Sequence, residues 1–341
     1  MKSKKIRVLL ILIFILVSIL NLCSCNVTMS KTEKEPPLEP VDQKRSEIEH
    51  YQNLVAVGGG HMLGLKSDGT VYSWGENKSG ECNTQDWTDI VAVSAGDFIS
   101  AGLKSDGTVV ATGINDLGQC ETKGWTDIVE VSACVTHILG LKSDGTVVST
   151  GRIVPEKGAG EQTIQIRDEM VKDWKDIKHV IAYANAAIGI KQDTTAIWSN
   201  YLSSMPFTNK LETGDFGMDN IIEIKQEGFF WMGLLTDGTV KLKESYNNKT
   251  GEAWTDIVDI ATGDEHYIGL KSNGRVVSSG SNKDKQCEVN EWKDILAVYG
   301  GLYITVGLQE DGTLIFSGDS TKALTENPEE GHVDPKDWDL F

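Results

Sequence analysis

Two short motifs recur in register along most of this 341-residue chain, and that recurrence limits the possible folds more than any other feature. The first is an Asp-Gly pair, clearest in Leu-Lys-Ser-Asp-Gly-Thr, at Asp68, Asp106, Asp144, Asp237 and Asp311. Altered copies stand at Asp193 (Asp-Thr-Thr) and Asn273 (Asn-Gly-Arg). The second is Trp-x-Asp-Ile, at Trp87, Trp125, Trp174, Trp254 and Trp292. Met218 fills its first position in Met-Asp-Asn-Ile, Tyr51 holds it before the first copy, and Trp338-Asp339-Leu340 repeats it near the carboxyl end. Two independent markers define seven units, spaced 36 to 49 residues apart. Each unit is one small structural element that buries its apolar surface only by stacking on its neighbours.

Within a unit the pattern is that of short strands. Ile90-Val91-Ala92-Val93 follows the Trp, and a small-residue turn comes at Ser94-Ala95-Gly96. An alternating run such as Met62-Leu63-Gly64-Leu65 leads to the Asp-Gly, then to Val71-Tyr72-Ser73-Trp74-Gly75. Asp-Gly between two such runs predicts a hairpin, because Gly takes positive φ without a Cβ clash. Thirty-five Gly against seven Pro fit a turn-rich chain, and no repeat segment keeps helical periodicity. The reading is all-β: a seven-bladed β-propeller over residues 51–341, built from about 40-residue repeats, its ring closure hiding strand edges.

The amino-terminal residues read as an address. Lys2, Lys4, Lys5 and Arg7 precede an apolar run of about 13 residues, Val8 to Leu20. That is short for a spanning helix and right for a secretory segment. Leu22-Cys23-Ser24-Cys25 then resembles the lipobox of bacterial lipoproteins, which implies a signal peptide over 1–24 and lipidation at Cys25. Residues 25–50, with Lys-Glu-Pro-Pro-Leu-Glu-Pro at 34–40, are the lipidated Cys and a flexible tether too poor in apolar groups to fold. The expected location is extracytoplasmic, anchored to a membrane at the cell surface or envelope. Acidic residues outnumber basic ones 50 to 32, for a net charge of −18. Such a chain repels a phosphate backbone, so nucleic acid is not an expected partner.

The repeat also has a family resemblance. Gly113-Ile114-Asn115-Asp116-Leu117-Gly118-Gln119-Cys120, after Asp-Gly-Thr-Val-Val-Ala-Thr-Gly, resembles the repeat of the regulator-of-chromosome-condensation family. Its bacterial form with Trp-x-Asp-Ile is the nearest in pattern. The resemblance implies a seven-bladed propeller closed by pairing the chain ends, in keeping with Tyr51 and Trp338 in one slot. The eukaryotic namesake acts on a nuclear GTPase and on chromatin, which an acidic extracytoplasmic chain does not meet. Secreted β-lactamase-inhibitory propellers are a more distant likeness. They place aromatic residues where this chain has Phe98, Phe229 and Tyr303, and four of its seven units lack one there.

Residue types that carry chemistry fall mostly into structural slots. Cys82, Cys120 and Cys287 share one repeat position, about 10 Å or more apart on adjacent blades and beyond disulfide reach. Cys134 stands in the turn where the preceding unit has Gly96. His61, His137 and His266 share a position that other units give to Ile99, Ala186, Phe230 and Ile304, which marks packing. Each Asp-Gly supplies one carboxylate, too few for calcium. Neither metal nor cofactor is expected. The variable turn before the His slot carries Gly60, Phe98, Thr136, Asn185, Phe229, Glu265 and Tyr303, with Asp97, Trp231, Asp264 and Tyr267 beside it. Aromatics among acids suit protein recognition. Phe98, Phe229, Trp231, Glu265, Tyr267 and Tyr303 are therefore the candidate partner-binding residues. Unit four is irregular: an insertion at 152–172 precedes it, its Asp-Gly is altered, and Ser203-Ser204-Met205-Pro206-Phe207 fits no repeat.

The sequence thus describes a monomeric, non-catalytic binding module. Its expected partner is a macromolecule of the envelope or extracellular space, a protein before a glycan, with the membrane met through the lipid anchor. The alternatives are an inhibitor-like propeller or a glycan-active propeller enzyme. The enzyme reading requires a pair of carboxylates about 5–10 Å apart in a cleft.

Overall fold

The computed structural model describes residues 48–151, 170–184, 186–201, 211–215, 219–227, 230–244, 254–319 and 334–341. Seven antiparallel sheets follow one another along the chain, as the seven repeats require. Six have three strands in sequence order. The fourth has four, because Leu211–Asp215 pairs with the outer edge of Ala196–Tyr201. The irregular segment Ser203–Phe207 lies between those two strands, outside the described residues, as do Cys25 and most of the 152–172 insertion.

Each sheet is one blade of a propeller. The first strand of every blade lines a central channel of about 780 Å³. Middle strands are covered on both sides by neighbouring blades, so they are buried almost throughout: His61–Leu65, Ile99–Lys104 and His266–Lys271 show no exposed position. The Asp-Gly turns form as the sequence requires. Asp68 Oδ1 accepts from the Thr70 amide at 2.9 Å and from its hydroxyl at 2.7 Å, and Gly69 adopts φ +81°. The same pattern holds at Asp106, Asp144, Asp193, Asp237 and Asp311.

The Trp-x-Asp-Ile motif joins one blade to the next. Its Asp is left-handed at Asp89, Asp127, Asp176, Asp256 and Asp294, with φ between 58° and 63°, and Asn220 takes its place at φ 63°. Asp and Asn tolerate this region better than other residues with a Cβ. The amide of the following Ile then donates to the turn carbonyl of the previous blade, as from Ile90 to Gly69 at 3.0 Å and from Ile295 to Gly274 at 3.1 Å. The Trp ring lies over the Gly of its own blade's middle strand. A Cβ at Gly102 would sit 2.9 Å from Trp87, and one at Gly307 would sit 2.8 Å from Trp292.

Ring closure follows from the same contact. A Cβ at Gly64 of blade one would sit 2.5 Å from Trp338, which is 1% exposed and stacks on Tyr72 at 5.4 Å. Leu340 packs beside it and donates from its amide to Gly312 of blade seven at 3.4 Å. Of the two residues expected in the Trp slot of blade one, Tyr51 and Trp338, it is Trp338 at the chain end that fills it. Tyr51 serves the closure differently: its carbonyl accepts from the Tyr299 hydroxyl at 2.5 Å.

Candidate functional site

The turns joining first and middle strands stack around one mouth of the channel. Gly263 packs on the Gly301 carbonyl, Gly301 on Val57, Gly58 on the Gly96 carbonyl, and Gly96 on the backbone of Cys134. Blades six, seven, one and two thus present a continuous arc. In it, the backbone of the variable position is used by the fold: the carbonyls of Gly60, Phe98, Glu265 and Tyr303 accept from Glu76, Ile114, Ser281 and Asp319 at 2.7 to 3.1 Å. The side chains are left to differ.

Of the six predicted recognition residues, the structure brings three to this arc. Phe98 is 37% exposed, one of the few large apolar side chains open to water among the described residues. Glu265 is exposed and faces Lys283 at 3.4 Å. Tyr303 is half-buried against the core between blades seven and one. Tyr267 is a correction: it is 3% exposed on a middle strand, packed with Met232, Leu234 and Trp254, and presents nothing to a partner. Trp231 lies on the strand Phe230–Leu235, opposite Gln226 and Lys243. Phe229 is outside the described residues.

Two acids frame the arc. Burial raises the Asp97 carboxyl, which sits against Gly59, where a Cβ would lie 2.8 Å from its Oδ1. Burial, with Glu265 beside it, raises Asp264. Both are desolvated acids that gain from a cation placed near them.

The His and Cys slots are structural, as the mixed residue types suggested. His61 Nε2 meets Ser100 Oγ at 2.9 Å and His266 Nε2 meets Thr305 Oγ1 at 3.0 Å, each across to the next blade. Burial pushes both imidazoles down to about 4. The Cys82, Cys120 and Cys287 thiols donate to the carbonyls of Glu76, Ile114 and Ser281.

The channel wall holds a group of residues that the sequence reading missed. Glu130, His179, Glu223 and Asp259 occupy one slot on the first strands of blades three to six, just past a bulge repeated in each. Glu130 Oε2 meets His179 Nδ1 at 3.0 Å, and its Oε1 accepts from the Val180 amide at 3.0 Å. Asp259 Oδ2 accepts from the Val298 amide at 2.9 Å. Gln52 Nε2, from the helical turn at 48–52, donates to both Glu223 at 2.8 Å and Asp259 at 2.6 Å. Lys225 pairs with Glu223 at 3.0 Å, and its side chain, 41% exposed, still reaches water. Burial and the neighbouring Glu223 push Asp259 up to about 7. Burial opposes the charges on His179 and Lys225, but Glu130 and Glu223 respectively outweigh it and raise both.

Glu223 and Asp259 are the paired carboxylates that the enzyme reading asks for. However, Asp259 is fully buried, one oxygen closed by Val298 and the other by Gln52. The pair ties blades five, six and seven to the helical turn at 48–52. The signal was present in Ile-Val-Glu-Val, Ile-Lys-His-Val, Ile-Ile-Glu-Ile and Ile-Val-Asp-Ile, where Ile-Val-Ala-Val and Ile-Leu-Ala-Val show the apolar alternative.

Comparison with known proteins agrees with this architecture. The regulator of chromosome condensation (RCC1) repeat matches residues 54–81, 90–119 and 257–286. No curated protein sequence matches the chain. Among solved structures, the ectodomain of the Arabidopsis thaliana receptor kinase ACR4 is similar at 15% identity and TM-score 0.57, over 78% of this chain and 95% of that one. Prp20p of Saccharomyces cerevisiae, described with its binding to Gsp1p and histones, is similar at 17% identity and TM-score 0.55, over 79% and 83%. Human WBSCR16 is similar at 18% identity and TM-score 0.53, over 73% and 84%. At these identities the likeness is one of fold. Three segments of the chain match the regulator of chromosome condensation repeat, and they lie in three of the seven blades of the propeller.

Proposed function

We propose that this protein is a lipid-anchored, extracytoplasmic recognition module that binds a macromolecule, a protein before a glycan, through the arc at the channel mouth and catalyses nothing. The observation that carries the reading is Phe98, an exposed ring beside the desolvated carboxyl of Asp97 on a rim whose backbone is fixed by the fold. A rigid aromatic next to acids gives contact area at small entropic cost and favours a partner that presents Lys or Arg. That Prp20p binds proteins on the same fold supports a binding role in general. The anchor rests on Leu22, Ser24 and Cys25 and the apolar run before them.

The test is capture from envelope and secreted fractions on residues 26–341, beside a variant carrying Phe98→Ala and Glu265→Arg. Tyr303 is left in place because it is part of the core. A protein retained by the first bait and lost at least tenfold from the folded variant supports the arc. Equal retention by both baits rejects it. Palmitate labelling of the full chain, abolished by Cys25→Ser, checks the anchor.

A further inference from the structure

Blade three differs from the others at the turn that stacks on Gly96. Where blades one and six have Gly58 and Gly263, it has Cys134. The glycines are required in those blades because the next blade's carbonyl and the His ring of the same turn both lie against them: a Cβ at Gly58 would overlap the Gly96 carbonyl oxygen and sit 2.7 Å from His61 Cε1. Blade three puts a side chain there, and it meets its histidine. Cys134 Sγ lies 3.2 Å from His137 Nδ1, with Thr136 Oγ1 and the Ala184 carbonyl each 3.5 Å from the sulfur.

His137 has also lost the contact that fixes its counterparts. His61 and His266 reach a hydroxyl of the next blade, Ser100 or Thr305, but the residue in that place after His137 is Ala187. His137 Nε2 is consequently buried without a partner, while Nδ1 faces both the sulfur at 3.2 Å and the Thr136 hydroxyl at 2.9 Å. No other described blade sets a Cys and a His together in this turn. Cys134 is a buried residue, 7% exposed as a whole, on the channel wall at its mouth, a position that excludes a bulky reactant.

The geometry points to Cys134 and His137 as a reactive thiol–imidazole pair at the channel mouth, a modification site that takes small hydroperoxides. The thiol proton passes to His137 Nδ1. The thiolate attacks one peroxide oxygen, the S–O bond forms and the O–O bond breaks. The leaving oxygen takes the proton back from the imidazolium, so thiol and hydroperoxide become sulfenic acid and water or alcohol. Electrostatics agree. Burial works against a thiolate at Cys134, but the His137 imidazole and the hydrogen bonds from His137 and Thr136 outweigh it and hold the thiol below its ordinary range. Burial instead leaves Cys120 pushed up to about 11 and Cys287 raised. Those two serve as comparators in the same chain.

The experiment treats the reduced full chain with hydrogen peroxide, traps sulfenic acid with dimedone and follows each cysteine by peptide mass. Cys134 is expected to gain the adduct at least about tenfold faster than Cys120 or Cys287. His137→Gln is expected to remove that advantage. Equal rates at Cys134 and Cys120, or an unchanged Cys134 rate in a folded His137→Gln protein, overturn the proposal. If that variant does not fold, the pH profile of the unaltered chain decides. A half-maximal Cys134 rate below about pH 8, under the ordinary thiol value near 8.5, supports the pair, and one at or above about pH 8 overturns it.

Discussion

Thr194 shows how far a single residue can depart from the repeat and still obey it. It stands where the other turns have Gly, and it keeps their left-handed backbone at φ +66°. Its carbonyl still accepts from the Ile221 amide at 3.0 Å, as the turn glycines do for the blades that follow them. A β-branched residue in this region is strained by about 1–2 kcal/mol, a cost that Gly does not carry. Thr194→Gly should therefore stabilise the protein by about 1 kcal/mol, seen as a rise in the denaturant midpoint at unchanged slope. A loss of stability would show that the Thr side chain contributes more than its backbone costs. The altered Asp-Thr-Thr could be recognised as a repeat copy only because Asp193 and Thr195 kept the side-chain half of the turn.

At the scale of the strand, the slot on the channel wall sets two titrations against each other. Asp259 is raised to about 7, so its stabilising contribution is intact below its ordinary 3.8 and is lost as pH rises to about 7. His61 and His266 are lowered to about 4, so theirs is present above 6.5 and is lost as pH falls to about 4. The two effects partly cancel over the same window. Asp259→Asn removes the first, and thermal stability should then fall more steeply between about pH 7 and pH 4.5 than in the native chain. Equal slopes would mean that Asp259 does not hold its proton in the fold. The polar residues of this slot were visible in the sequence but their partners were not, and alternation alone did not decide the burial of Tyr267. Alternation reports which face a residue takes, but a middle strand between two blades has no outward face, and both faces of His266–Lys271 are covered. The acids, in turn, acquire their role only when the ring brings the next blade's amides to them. Val180 and Val298 lie 50 and 39 residues beyond Glu130 and Asp259. The hairpins were legible because Asp-Gly and the Trp-on-Gly contact are local within a blade.

For the whole molecule, the decisive contact is Trp338 on Gly64. Truncating a buried Trp costs about 3–5 kcal/mol, and Trp125, half-buried on Gly140 within blade three, is the comparator at the lower end of that scale. Trp338→Ala removes a similar contact and also opens the ring. Trp125→Ala should keep a single unfolding transition in guanidinium, whereas Trp338→Ala should split it, blade one melting first. One shared transition in both would place the closure elsewhere. The chain ends do meet, by Trp338 docking on Gly64 and not by strand pairing, and of the two residues expected in that slot Tyr51 does not fill it.

That closure also puts a clock on the molecule. Blade one is made first, yet the ring that covers Gly64 and the bond from Leu340 to Gly312 come from the far end of the propeller. Until residue 340 arrives, Met62 and Leu63, both fully buried in the finished ring, have one flank bare. Contacts of such long sequence separation form slowly, and the wait exposes apolar surface and strand edges. A nascent chain of this design keeps that flank bare until its last turn emerges, and a chain cut short before Trp338 lacks the ring that covers it.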